Sequence, residues 1–265
     1  MESGEWRVFS YLNSQLLTLH SKIEKGVKKM QEMLGLMRKA ITDYKMIEDG
    51  DRILVGVSGG KDSVVMLVGL ARLREFMGID FEIIGLTLDS SVDGSHADYS
   101  EIERLAKEYN FEYYVKYTDI ADIVFNIRKE SNPCSLCARM RRGALHDFAN
   151  EHNCNKVALG HHADDAMQTL IMNLFNEGRI GCFSPVTYLS RKDITVIRPM
   201  VYASERKIKH TLYKNNLPIV KSVCPVDKVT NREKTKEWLN ELEKEMPGVK
   251  KRIYGSLKNS HISGW

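Results

Sequence analysis

The stretch ILVGVSGGKDS (53–63) decides how the chain is read. Five apolar residues suited to a buried strand (53–57) run directly into a turn of two glycines, a lysine and two hydroxyls (58–63). Glycine tolerates positive φ and allows close approach of another backbone or a ligand. A helix follows, expected over 63–77, so the turn ends at a helix N-terminus. Backbone amides and the helix dipole there favour an anion such as phosphate. Lys61 can neutralise phosphate, and Ser58 and Ser63 can donate hydroxyl hydrogen bonds. The spacing is not that of a Walker loop. A plain turn capped by Ser63 would not need serine, lysine and aspartate together.

Working outward, strands and helices alternate. EIIGLTL (82–88), EYYVKY (112–117), KVALG (156–160) and TVIRP (195–199) read as further strands. Helices are expected over 98–109, about 138–150, 164–176, near 204–215 and over 231–245. This alternation predicts an α/β fold, a parallel sheet with helices on both faces. Such sheets bind ligands at the carboxyl ends of their strands. SGGKDS, LDSS (88–91) and GHHADD (160–165) all fall at such ends and converge on one crevice.

Before the first strand, Leu16, Ile23, Val27, Met30, Leu34, Met37 and Ile41 form a helical apolar seam. Lys22, Lys25, Lys28 and Lys29 flank it. The seam is read as a helix packed on its own domain, ahead of a dimer seam or an RNA-binding arm. Three regions are expected: a helical extension (1–47), a core (48–225) and a helical tail (226–265). The chain of 265 residues is 43% hydrophobic and 28% charged, with a net charge of +4. That balance permits nucleic-acid binding without demonstrating it. No apolar run reaches the roughly 18 residues of a membrane span, and no signal peptide is visible, so a cytoplasmic enzyme is expected.

Five cysteines, an odd number, argue for metal or redox chemistry over a disulfide framework. NPCSLCARMRRG (132–143) places Cys134 and Cys137 three residues apart at a helix start, followed by Arg139, Arg141 and Arg142. Positive charge there lowers thiol pKa values. Cys224, in SVCPVD, is remote. Three cysteines leave tetrahedral zinc one ligand short and suit a cubane cluster with one open iron, with zinc as the alternative. Cys154 and Cys182 lie in no comparable motif and read as core or surface thiols. In GHHADD, His161 and His162 read as polar positioners. Asp164 and Asp165 read as candidate ligands, with Asp164 as a helix-start cap in the alternative.

SGGKDS resembles the PP-loop of the ATP pyrophosphatase superfamily, which splits ATP into AMP and pyrophosphate. MIEDGDRILVGVSGGKDS, PCSLCARMRRGAL and LGHHADDAMQTLIMNLF together resemble the tRNA 2-thiocytidine synthetase family, from about Met37 to Pro225. The resemblance implies a Rossmann-like PP-loop fold and ATP-dependent thiolation of a tRNA pyrimidine, an anticodon-loop cytidine first of all. It implies that Ser58, Gly59, Gly60, Lys61, Asp62 and Ser63 bind the pyrophosphate end of ATP. Leu88 and Asp89 would lie near the adenosine, and Gly160 and His161 would line the same site. Lys61, Asp62, Arg141, Asp164 and Asp165 would be the catalytic set, with Mg²⁺ assisting. Cys134, Cys137 and Cys224 would hold a 4Fe–4S cluster carrying the sulfur. Where members of the family often have a second C-x-x-C, this chain has Cys224 alone. Partners would be tRNA and a sulfur donor, a cysteine desulfurase or sulfide; a homodimer and the absence of any membrane partner are further expectations. The alternatives are thiolation of a uridine, a sulfur-handling reaction on a small molecule, a lysidine-synthetase-like ligase, and an ATP-binding redox sensor without catalysis.

Overall fold

Strand β1 (Asp51–Gly56) lies inside the sheet, and its Ile53, Leu54 and Val55 are fully buried. The computed structural model describes residues 30–90, 95–128, 133–220 and 231–265. In chain order, helix α1 (30–43) precedes β1, followed by α2 (Lys61–Leu73), β2 (Phe81–Ser90), α3 (Ser100–Glu108) and β3 (Glu112–Thr118). A short α4 (Ile120–Asp122) continues as a π-helical turn (Ile123–Arg128). Then come α5 (Pro133–Glu151), β4 (Lys156–Ala158), α6 (Ala163–Asn176), β5 (Val186–Leu189), β6 (Ile194–Ile197), α7 (Glu205–Lys214), α8 (Asn231–Glu245) and α9 (Val249–Ser260).

The sheet order is β3-β2-β1-β4-β6-β5. β1 pairs in parallel with β2 (Ile53↔Ile83) and with β4 (Leu54↔Val157), and β4 pairs in parallel with β6. The sequence reading of a wholly parallel sheet needs one correction. β5, which it did not find, runs antiparallel to β6, with Thr187 opposite Val196. An antiparallel neighbour needs only a short connection, here residues 190–193, so it fits at the edge without a crossover helix.

Side-chain alternation divides β1 between two apolar layers. Ile53, Val55 and Val57 face a core built with Met37, Val64, Leu67, Ile102 and Ile208, from α1, α2, α3 and α7. Leu54 faces the other way, with Ile84, Leu86 and Leu88 of β2 and Leu145 and Phe148 of α5. Helices therefore cover both faces, as the alternating pattern requires. Met30, Met33, Leu34, Met37, Ala40 and Ile41 of α1 are buried in the first layer. The described part of the N-terminal seam packs on its own sheet. Leu16, Ile23, Val27 and the four lysines beside them lie outside the described residues.

Two boundaries matter for the site. α5 begins at Pro133 rather than near 138, so Cys134 and Cys137 sit within its first two turns. The basic stretch Lys250, Lys251 and Arg252 falls in the first turn of α9, within the helical tail expected over 226–265. Leu257 and Trp265 bury against the core. The Tyr254 hydroxyl donates to the Val201 carbonyl and Trp265 Nε1 to the Phe183 carbonyl, each at 2.7 Å. No described helix is long and apolar enough to cross a membrane.

Candidate nucleotide and thiol site

The turn after β1 is held by its own hydroxyls. Ser63 Oγ accepts from the Ser58 amide at 3.1 Å and donates to the Gly60 carbonyl at 2.9 Å. Ser58 Oγ lies 3.1 Å from Ser63 Oγ and accepts from the Gly60 amide at 3.3 Å. The two serines therefore preshape the loop, where the sequence reading had offered them as direct phosphate donors. Gly59 has φ +78°, and a Cβ built there would lie 2.7 Å from Val220 Cβ. Its carbonyl accepts the Val220 amide at 3.0 Å. Glycine is thus required at 59 by both backbone and space.

The turn after β4 meets this loop from the side. A Cβ on Gly160 would lie 3.3 Å from the backbone of Asp62 and Ser63. His162 caps α6 and is 4% exposed. Its Nε2 sits 3.5 Å from Asp62 Oδ1 and 3.4 Å from Asp165 Oδ2, and its Nδ1 is 3.8 Å from Asp164 Oδ2. Asp165 Oδ2 accepts the His162 amide at 3.0 Å, so Asp165, not Asp164, closes the start of its own helix. Asp164 instead accepts the Glu205 amide at 2.8 Å, at the first turn of α7. Asp165 Oδ1 is paired with Arg232 Nη1 of α8 at 3.1 Å. Asp62 Oδ1 is buried with no hydrogen-bond partner among the described residues.

These elements enclose a cleft of about 310 Å³ at the carboxyl ends of β1, β2 and β4. Ser58, Asp62, Ser63, Leu88, Gly160, His161 and Asp165 line it from the sheet side, and Arg141 and Arg142 from α5. Two guanidinium groups facing two carboxylates make a cleft suited to a ligand of alternating charge. His161 Nδ1 accepts from Arg198 Nε at 3.3 Å. Burial, with the Arg198 charge beside it, pushes the His161 imidazole down to about 4, so it is neutral near pH 7. Burial also lowers the Arg198 guanidinium to about 10.

The structure thus gathers Ser58, Asp62, Ser63, Leu88, Arg141, Gly160, His161 and Asp165 around one space. It does not bring all the predicted residues there. Asp89 points to the other face of the sheet, 2% exposed, with Oδ2 3.3 Å from His96 Nδ1. Lys61 is not among the lining residues; its ammonium pairs with Asp62 Oδ2 at 3.0 Å and Glu205 Oε1 at 3.3 Å. Asp164 lies behind the cleft wall. Sequence reasoning missed Arg198, Glu205 and Arg232. Arg198 and Glu205 stand beside expected element ends, but a lone charge there gives no signal of its partner.

Cys134 is exposed and Cys137 half-buried, one helical turn apart on α5. Arg141 follows one turn later on the same face as Cys137. Cys224 lies outside the described residues. The segments on either side of it are both attached to the site, through Val220 on Gly59 and Arg232 on Asp165. Burial raises the thiols of Cys154 and Cys182 to about 11, so neither is a ready thiolate. Among the described residues, no group of three or more His, Cys, Asp and Glu is placed to hold a metal ion.

Comparison with known proteins places this geometry. Residues 23–234 match the PP-loop domain family. A tRNA-cytidine(32) 2-sulfurtransferase of Geobacter metallireducens is 39% identical over 239 residues, covering 89% of this chain and 91% of that protein. One from Geotalea daltonii is 42% identical over 238 residues, covering 88% and 91%. One from Pelobacter propionicus is 37% identical over 251 residues, covering 94% and 93%. Among solved structures, the U34-tRNA thiolase NcsA from Methanococcus maripaludis, with its 4Fe–4S cluster, superposes with a TM-score of 0.71. It is 24% identical and the match covers 87% of this chain and 78% of that one, a likeness of fold. With the loop and the acid-rich turn on one crevice, the paired thiols on the helix that lends it Arg141 and Arg142, and relatives near 40% identity along most of its length, the chain belongs to the tRNA-cytidine(32) 2-sulfurtransferase family of PP-loop proteins.

Proposed function

We propose that this chain uses ATP to replace the 2-oxygen of cytidine 32 in tRNA with sulfur. The observation that carries the reading is one cleft with a preshaped glycine loop on one wall and a C-x-x-C helix supplying the other. A pyrimidine carbonyl oxygen is a poor leaving group. Its attack on the α-phosphorus of ATP forms an O–P bond and expels pyrophosphate, leaving the oxygen bonded to AMP. Sulfur at the sulfide level then bonds to carbon 2 through its own electron pair, loses its proton, and AMP departs with the original oxygen.

The loop Ser58–Ser63 binds the pyrophosphate end, with the α2 dipole behind it. Arg141 and Arg142 face the cleft and offset charge that develops on the phosphoryl group. Leu88 and Leu159 supply apolar surface for the bases. A cytidine in a single-stranded loop reaches the cleft at the least unstacking cost.

Two absent groups are tested by the residues present. Asp62 Oδ1, a buried carboxylate oxygen without a hydrogen-bond partner among the described residues, suits Mg²⁺, with Asp165 as its neighbour across His162. Cys134 and Cys137 suit a 4Fe–4S cluster by accessibility and spacing, whereas Cys154 is buried and the half-buried Cys182, its thiol raised to about 11, donates to the Ala166 carbonyl. Cys224 is proposed as the third ligand. When bound, the cluster supplies the sulfur-carrying site.

The test is tRNA-dependent release of pyrophosphate and AMP from protein reconstituted anaerobically with iron and sulfide. A transcript with cytidine at position 32 should support release and gain one sulfur. A transcript with uridine there should not. Equal thiolation of both would assign the chain a different target.

A further inference from the structure

Lys61 is the lysine of the glycine loop, yet it does not line the cleft. Its ammonium lies between Asp62, which lines the cleft, and Glu205, which does not. Glu205 Oε1 is also 3.2 Å from Lys209 and 3.3 Å from Lys236. Three ammonium groups from α2, α7 and α8 thus converge on one largely buried carboxylate oxygen. Burial works to raise the Glu205 carboxyl, but these lysines outweigh it and hold it at about 2. A second cavity, of about 400 Å³, opens there beside Glu205, Lys209, Lys236, Arg206 and Lys250.

We propose that Glu205 is a positioning residue that competes with phosphate for Lys61. Its carboxylate holds the ammonium on the α7 side until a phosphate oxygen in the cleft takes it over. This rests on the nucleotide-loop reading above. The geometry makes the exchange inexpensive. Asp164 fixes the Glu205 backbone at 2.8 Å, so only side chains need to move. When Lys61 leaves, Lys209 and Lys236 still pair with Glu205, so no carboxylate is left buried and unpaired. Lys61 exchanges the Glu205 carboxylate for a phosphate oxygen, with Asp62 Oδ2, 3.0 Å away, as its second anion. An ion pair serving only to fasten α2 to α7 would not need the two further lysines.

The sign of one effect decides the matter. Removing the competitor should tighten binding of the pyrophosphate product, by about threefold to tenfold for a partly buried pair. The experiment is calorimetric titration of inorganic pyrophosphate into the full chain, its Glu205→Gln and Lys61→Met variants, and the double variant. Glu205→Gln should bind more tightly and show a lower KM for ATP without a higher kcat, because product leaves more slowly. The gain should vanish in the Lys61→Met background. Glu205→Asp, which draws the carboxylate back, should shift affinity in the same direction by less and serves if the Gln variant does not fold. Weaker or unchanged binding in these variants, or an equal gain without Lys61, overturns the proposal. The titration needs neither tRNA nor cluster. If the unmodified chain binds no pyrophosphate, the loop reading falls as well. If it binds through Lys61 but ignores Glu205, only this proposal falls.

Discussion

The two walls of the cleft are built differently. The loop wall is complete within the protein: Ser58, Ser63 and the Gly60 backbone satisfy one another, and Val220 locks Gly59. The thiol wall is helix α5, which turns Arg141, Arg142 and Leu145 into the cleft and carries the thiols on the turns before them, Cys134 exposed and Cys137 half-buried. One wall is shaped before any ligand arrives, and the other is completed by what it binds. Preorganisation suits the wall that orients phosphates, since dipoles fixed in advance cost no reorganisation during reaction. Accessible thiols suit a wall proposed to load a cluster.

The strongest way to break this contrast is to remove one thiol. Cys137→Ser should abolish thiolation and cluster loading, read by sulfur incorporation into tRNA and by iron content. ATP binding should stay within about twofold, because the loop wall stands without the cluster. Loss of ATP binding as well would mean that the two walls fold as one. Next comes Gly59→Ala, which forces a Cβ to φ +78° and to 2.7 Å from Val220. It should cost about 1–3 kcal/mol of stability, by thermal melting, and more than about tenfold in ATP affinity. Gly160→Ala is milder. Its Cβ would press on Asp62 and Ser63 at 3.3 Å, raising the KM for ATP with a stability cost of about 1 kcal/mol.

The smallest expected effect concerns pH. His161 is held at about 4 by burial and by Arg198, against an ordinary value near 6.5. As pH falls from about 6.5 to 4, the unfolded chain takes up a proton that the folded chain refuses. Stability should therefore fall across that window. His161→Gln should flatten this part of the melting-temperature profile. Glu205 acts lower: its stabilisation, present above its unfolded value near 4.5, fades as pH falls towards about 2.

The same contrast governs what could be read from the sequence. The loop wall was legible because its determinants are local: an apolar strand, a glycine turn and a helix start within 53–63. The parallel core was legible through alternation, and β1, β2 and β3 fall close to where apolar runs predicted them. β5 was not, since Val186–Leu189 is short, half-exposed and paired on one side only. α9 was hidden because its first turn reads as a run of charge, while its anchors Tyr254 and Leu257 come later and Trp265 lies beyond its end. The pairs Arg198–His161, Glu205–Lys236 and Arg232–Asp165 span 37, 31 and 67 residues, and no local pattern marks them. Asp89 and Leu88 show the limit of position alone: adjacent in sequence, they face opposite sides of the sheet.

The most direct measurement is mass spectrometry of tRNA nucleosides from cells with and without this protein. The account predicts that 2-thiocytidine disappears with the protein and returns with the intact chain but not with Cys137→Ser or Lys61→Met. An unchanged 2-thiocytidine content in cells lacking the protein would contradict it.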